Sequence, residues 1–244
     1  MVGCAQHGVG LYPVSRYRHL FFDLDHTLWD FTTNSRATLR ELHRVEGLSD
    51  AGVPDADVFI AQYEAINHAL WAEYGSGRMP KEVLRVLRFR RVLGGFNNVD
   101  GRLAERLSRG YIEQCPLRTE LMPGARELLA ALTGRYSMHI ITNGFDEVQA
   151  IKLRNSGLRE YFDVVLTSER AGAAKPDVRI FEKAMERSCA ARAECLMIGD
   201  NVGADMEGAR RAGWDHVHYA AETPPDPLAT YRIQHLDELR AILL

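Results

Sequence analysis

The chain is expected to fold as a doubly wound α/β domain, built on a parallel sheet and interrupted by an inserted α-helical domain. Three observations lead there. Short apolar runs recur at Leu20-Phe21-Phe22, Met138-His139-Ile140-Ile141, Val164-Val165-Leu166 and Leu196-Met197-Ile198; each has the length of a strand buried on both faces and leads towards polar or glycine-bearing residues. From Met122 onward such runs alternate with helical patterns, the order that builds a parallel sheet. Between Thr27 and the second run lie about 110 residues, whereas a βαβ unit needs about 30, so the surplus reads as an insertion.

The insertion reads as helices. Apolar residues recur at three-and-four spacing over Asp55 to Tyr74, Pro80 to Leu93 and Val99 to Cys115, with Gly75-Ser76-Gly77 and Gly94-Gly95-Phe96-Asn97-Asn98 as breaks. This sets a helical cap at residues 32–116, expected to close over the strand tips, and an α/β core at residues 17–31 and 117–244. In the core, Met122-Pro123-Gly124 opens a helix running to Leu132. Further helices are expected at Asp146 to Asn155, Asp177 to Arg187 and Ala204 to Ala212, the last stopped by Gly213. His216-Val217-His218-Tyr219 and Tyr231-Arg232-Ile233 are candidate late strands and Asp237 to Leu244 a closing helix, while Pro224-Pro225-Asp226-Pro227 reads as a stiff surface connection.

Composition narrows the function classes. The 244 residues are 46% hydrophobic and 26% charged, ordinary for a globular chain, and the net charge of -3 offers no electrostatic footprint for a nucleic acid polymer. No stretch approaches the roughly 18 apolar residues that cross a bilayer, and Met1 to Arg18 hold no continuous apolar leader segment, so a cytoplasmic protein without a membrane partner is expected. Cys4, Cys115, Cys189 and Cys195 lack metal-type spacing and read as free thiols.

The chemistry gathers where the strands end. Side chains alternate along a strand, so Asp23 and Asp25 behind Leu20-Phe21-Phe22 would point to one side. Two unit charges ~4 Å apart cost about 4 kcal/mol at an effective dielectric near 20, so such a pair shares a proton, binds a cation or splits into two roles. Thr142-Asn143-Gly144 follows the second run, Lys175-Pro176 lies beyond the third, and Gly199-Asp200-Asn201 with Asp205 follows the fourth. Parallel strands bring these tips to one edge, where such sheets bind ligands. Four carboxylates, one ammonium, one hydroxyl and two glycine-bearing turns suit Mg2+ and a phosphoryl group.

In these residues the chain resembles the haloacid dehalogenase superfamily of phosphatases. All four of its motifs occur in order, as Asp23-x-Asp25-x-Thr27, Thr142-Asn143, Lys175-Pro176, and Gly199-Asp200 with Asp205. The resemblance implies a Rossmann-like core and a magnesium-dependent phosphomonoester hydrolase acting through an aspartyl-phosphate. By that resemblance Asp23 is the nucleophile, Asp25 the acid and then the base, and Lys175 a catalytic cation that with Thr142 and Asn143 binds the phosphate. Magnesium is then held by Asp23, Asp200 and the backbone carbonyl of Asp25, with Asp205 bracing the lysine or the metal's waters.

One departure from the superfamily pattern is His26, where its phosphatases usually carry glycine. His26 with Thr27-Leu28-Trp29-Asp30-Phe31 is similar instead to a branch of pyrimidine 5'-nucleotidases, which implies a small phosphorylated metabolite, a nucleoside 5'-monophosphate, as substrate. Alternatives are a phosphatase of sugar phosphates or other small metabolites, a phosphosugar mutase, a haloacid dehalogenase, disfavoured because it needs no second aspartate, and a phosphoryl-accepting switch, which leaves the cap and Asp25 unexplained.

Other features take quieter readings. His216 and His218 lack a third clustered ligand and read as a wet sheet face rather than a metal pair. Lys81, Arg85 and Arg88 follow helical spacing opposite Val83, Leu84, Val86 and Leu87 and read as a solvated face, with a cation reaching towards substrate as the alternative. Trp29 and Phe31 would stack a nucleobase or pack the hinge; Tyr63, Trp71 and Tyr74 read as cap packing.

Overall fold

The apolar runs do become strands, and their register explains why the polar tips meet. In the computed structural model, which describes residues 16–75, 77–221 and 223–244, six strands pair in parallel in the order β3-β2-β1-β4-β5-β6. They are β1 (His19–Phe22), β2 (Ser137–Thr142), β3 (Val164–Thr167), β4 (Cys195–Gly199), β5 (Asp215–Tyr219) and β6 (Tyr231–Ile233). The thiol reading of Cys4, the leader-free reading of the first residues and the Ser76 part of the first glycine break lie outside the described residues. Phe22 pairs with Ile140 on one side and Ile198 on the other, so Asp23, Thr142 and Asp200 leave the sheet within two residues of one level. Leu20, Phe21, Phe22, Ile140, Ile141, Leu196, Met197 and Ile198 are all fully buried, as a sheet covered on both faces requires.

The described residues divide into two compact units, one reaching Asp30 and resuming over Leu121–Leu244, the other Phe31–Glu120. The helical unit contains α1 (Phe31–Val45), α2 (Ala56–Gly75), α3 (Lys81–Gly95) and α4 (Gly101–Gln114). Three of these match the periodicity to within two residues; α1 was not anticipated. Its inward face is largely polar, with Asn34, Ser35, Thr38 and His43 buried beside Leu39 and Leu42, so no apolar stripe announces it. Residues 117–120 stay with this unit: Arg118 Nε donates to Thr38 Oγ1 at 2.7 Å, and Asn34 exchanges bonds of 2.9 and 3.2 Å with the backbone of Glu120.

Arg88 corrects the solvated-face reading of the basic run. It is only 2% exposed, with its guanidinium 4.7 Å from the centre of the Tyr111 ring, 5.5 Å from Phe89 and 5.6 Å from Tyr63, and it donates to Asn67 Oδ1 at 3.2 Å. An aromatic box and an amide replace water around the cation. Val83, read as facing inward, is exposed.

In the sheet unit the helices are α5 (Ala125–Leu132), α6 (Asp146–Asn155), α7 (Ser168–Ala171), α8 (Val178–Ser188), α9 (Glu207–Ala212) and α10 (Leu239–Leu243). Asp177 caps α8 by accepting from Arg179 N, and Ile180, Phe181 and Ala184 of its buried face join Phe21, Ile141, Leu166, Met197 and Trp214 in the core. A wide π-turn at Val202–Met206 precedes α9, and Gly213 ends that helix with φ 71°.

The late strand also departs from its wet-face reading: His216 is 4% exposed and His218 0%. The proline-rich connection is no mere spacer either, because Asp226 is buried, accepts from Arg210 Nη1 at 2.7 Å and donates its backbone N–H to His218 Nδ1 at 2.9 Å. Cys115 and Cys195 are buried thiols and Cys189 an exposed one. Among the described residues no helix is long and apolar enough to cross a membrane.

Candidate active site

The tip of β1 continues straight into the site. Asp23 N donates to Ile198 O at 2.9 Å, which keeps the backbone extended one residue past β1 and turns its carboxylate towards Lys175. The Lys175 ammonium donates to Asp23 Oδ1 at 2.6 Å, to Asp205 Oδ1 at 2.6 Å and to Ile141 O at 2.8 Å, so all three of its protons are engaged. Asn143 holds the lysine from behind: its Oδ1 accepts from Lys175 N at 2.9 Å and its Nδ2 donates to Lys175 O at 3.0 Å. The side chain expected to bind phosphate is thus occupied in fixing the Lys175 backbone.

Asp205 is fully buried and its second oxygen accepts from Asn201 N at 3.0 Å. The carboxylate lies against Gly199, where an added Cβ would come within 2.3 Å of Asp205 Oδ2; only glycine lets β4 end beside it. Asp200 is oriented twice, by Thr27 Oγ1 donating to its Oδ1 and by His218 Nε2 donating to its backbone oxygen, both at 3.0 Å. Because His218 Nδ1 accepts from Asp226 N, the ring carries its proton on Nε2 and serves as a neutral donor.

Asp25 has separate partners. Lys152 Nζ lies 2.5 Å from its Oδ1 and Gln149 Nε2 2.8 Å from its Oδ2, both from α6. Gln149 Nε2 also lies 2.8 Å from Thr142 Oγ1, which accepts from Gly144 N at 3.1 Å as well. With both lone pairs occupied, the buried Thr142 hydroxyl keeps its proton to donate. The structure therefore assigns one lysine to each aspartate of the first motif, and Lys152 and Gln149 are the residues that sequence reasoning missed. The signal for them was a lysine and a glutamine three positions apart on a helix, which resembles any solvated face. His26 is exposed with φ 64°, in the region that glycine enters freely and other residues at a cost of about 1 kcal/mol, which accounts for the glycine expected at this position.

Oxygens of Asp23, Asp200 and Asp205 lie within 4.8 Å of one another. Burial pushes the Asp23 carboxyl up to about 7, with Lys175 opposing and Asp205 adding to the rise. Burial likewise lifts Asp200 to about 6, with Asp23 adding, and raises Asp205 against the pull of Lys175. Lys175 moves the other way from its burial, upward, because Asp205 and Asp23 hold it charged. Three carboxylates against that one ammonium leave two negative charges when all are ionised, which fits a divalent cation. Both Asp205 oxygens are engaged, so Asp23 and Asp200, each with one oxygen outside these hydrogen bonds, are the candidate ligands.

A carboxylate whose folded pKa is raised contributes stability that is present below its unfolded value near 4 and lost as pH rises through its folded value. For Asp23 and Asp200 that loss spans about 4 to about 7, and a bound cation offsets it. The gain in Tm on adding excess magnesium to chelator-treated protein is therefore expected to be several degrees at pH 8 and markedly smaller at pH 5. Equal gains at both pH values would mean that these carboxylates ionise normally.

The chain is similar to known proteins over most of its length. The family model of the haloacid dehalogenase-like hydrolases matches residues 17–213. The pyrimidine 5'-nucleotidase YjjG of Escherichia coli is 34% identical over 230 residues, covering 92% of this chain and 96% of its own. PynA of Streptococcus pneumoniae, also a pyrimidine 5'-nucleotidase, is 34% identical over 206 residues, covering 83% and 84%. Among solved structures, the HAD-hydrolase YfnB of Bacillus subtilis bound to magnesium aligns with a TM-score of 0.82 at 32% identity, covering 94% of this chain and 99% of that one.

Proposed function

The chain belongs to the haloacid dehalogenase-like hydrolases, and from that membership we propose that it is a magnesium-dependent 5'-nucleotidase working through an aspartyl-phosphate on Asp23. It is a phosphoric monoester hydrolase; the nucleotide and the individual residue roles are the proposal. The observation that carries the roles is the separation of the two aspartates. Asp23 is held by Lys175 and Asp25 by Lys152 and Gln149, so one carboxylate is free to bond to phosphorus while the other moves a proton.

An Asp23 oxygen attacks phosphorus as the ester P–O bond breaks, and Asp25 gives its proton to the departing alkoxide. Water then attacks the aspartyl-phosphate, losing a proton to Asp25, and inorganic phosphate leaves with Asp23 regenerated. A divalent ion bound by Asp23, Asp200 and the backbone carbonyl of Asp25 would neutralise charge on the phosphoryl oxygens. Lys175 and the Thr142 hydroxyl add to that neutralisation, and Asp205 holds the lysine in place.

The substrate class rests on the two nucleotidase relatives, both 34% identical to this chain, and on the His26-to-Phe31 resemblance. Trp29 is fully buried, so base recognition falls to other residues. Phosphate release from nucleoside monophosphates, sugar phosphates and an aryl phosphate, with magnesium and with chelator, tests the reading. Magnesium-dependent release favouring pyrimidine monophosphates is the expected result; release from sugar phosphates alone would remove the nucleotidase assignment and leave the mechanism standing.

A further inference from the structure

The buried residues of α6 are Leu153 and, where a buried helix face ordinarily places further apolar groups, Gln149 and Lys152. Gln149 is 0% exposed and Lys152 3%. An ammonium taken out of water is costly unless paired, and an apolar side chain would fill the same space at less cost, so packing alone does not account for a lysine there. Its head lies 4.2 Å from the centre of the Trp29 ring and 2.5 Å from Asp25 Oδ1, while Gln149 bridges Asp25 Oδ2 and Thr142 Oγ1 at 2.8 Å each. Donors three residues apart on one helix thus grip both oxygens of a carboxyl group that lies on a turn after β1.

We propose that Lys152 and Gln149 are positioning residues for the proton transfer at Asp25. Together they fix the rotation of its carboxyl group, and Gln149 ties that orientation to the Thr142 hydroxyl, so that the proton donor and the phosphate-binding donor keep one spacing. Each Asp25 oxygen retains a second lone pair to carry the proton given to the leaving oxygen and later taken from water. The inference rests on Asp25 being the proton donor.

Proton donation matters most when the leaving group is a poor one. An alkoxide such as a nucleoside 5'-oxygen needs it, whereas a nitrophenolate departs without it. For Lys152→Met, kcat/KM, which covers the steps through departure of the leaving group and not the later hydrolysis that both esters share, is expected to fall about 10²-fold on a nucleoside monophosphate and by no more than about threefold on a nitrophenyl phosphate. Asp25→Asn sets the benchmark, with a fall of about 10²- to 10⁴-fold on the alkyl ester and the same leaving-group bias. In the Asp25→Asn background Lys152→Met should cost nothing further, because the group it orients is already gone. Gln149→Ala, expected to show a weaker form of the same bias, decides the matter should Lys152→Met not fold. A uniform loss on both esters, or a loss that adds to that of Asp25→Asn, would overturn the positioning role. If Asp25→Asn itself shows no leaving-group bias, the proton-donor reading falls and the positioning role with it.

Discussion

Asp23→Asn is expected to stop turnover while leaving the fold intact. The amide keeps the volume of the side chain but removes the anionic oxygen that would bond to phosphorus, so kcat should fall by at least about 10⁴-fold, the scale seen when a covalent nucleophile is lost. Stability should move little or rise. Burial pushes the Asp23 carboxyl up to about 7, so above that pH the folded state carries a charge that burial makes costly, and a neutral amide removes the penalty. Single-turnover phosphate release and a thermal melt at pH 8 without metal test both halves. Turnover within tenfold of the parent would remove Asp23 as nucleophile and leave direct attack by water as the mechanism.

Lys175→Met should damage stability and activity together, and its cost should depend on pH. The ammonium serves Asp23, Asp205 and the Ile141 carbonyl, and no other lysine or arginine pairs with those two carboxylates among the described residues. Removing it leaves buried acids without their counter-charge, for which a loss of about 3–5 kcal/mol is expected at pH 8. Both acids then bind protons more readily in the folded state, so the deficit should shrink as pH falls towards 5. Urea denaturation at the two pH values measures it. An equal loss at both, or one under about 1 kcal/mol, would mean that the cluster is neutral in the parent protein.

These two variants involve residues that could be read from sequence; the partner of Asp25 could not. Strands buried on both faces must be unbroken apolar runs, and the residues that end them stand out by contrast, which is why Asp23, Thr142 and Asp200 are legible in the sequence. Lys175 was found through its motif, as a cation for a phosphoryl group; the structure sets it between Asp23 and Asp205. Polar residues that are buried give no such contrast. Asn34, Ser35 and Thr38 hid α1, Arg88 imitated a solvated face, and His218 imitated a wet one.

By itself the sequence determined the parallel sheet, the helical insertion and the order of the four motif segments, because local periodicity and chain length settle those. Tertiary structure alone decided which polar groups are enclosed and by what. Lys152 meets Asp25 across 127 residues, His218 meets Asp200 across 18, and Arg88 meets Asn67 across 21. A charged side chain costs too much to bury until its partner is delivered, and that delivery depends on the packing of the whole unit, which no local pattern records.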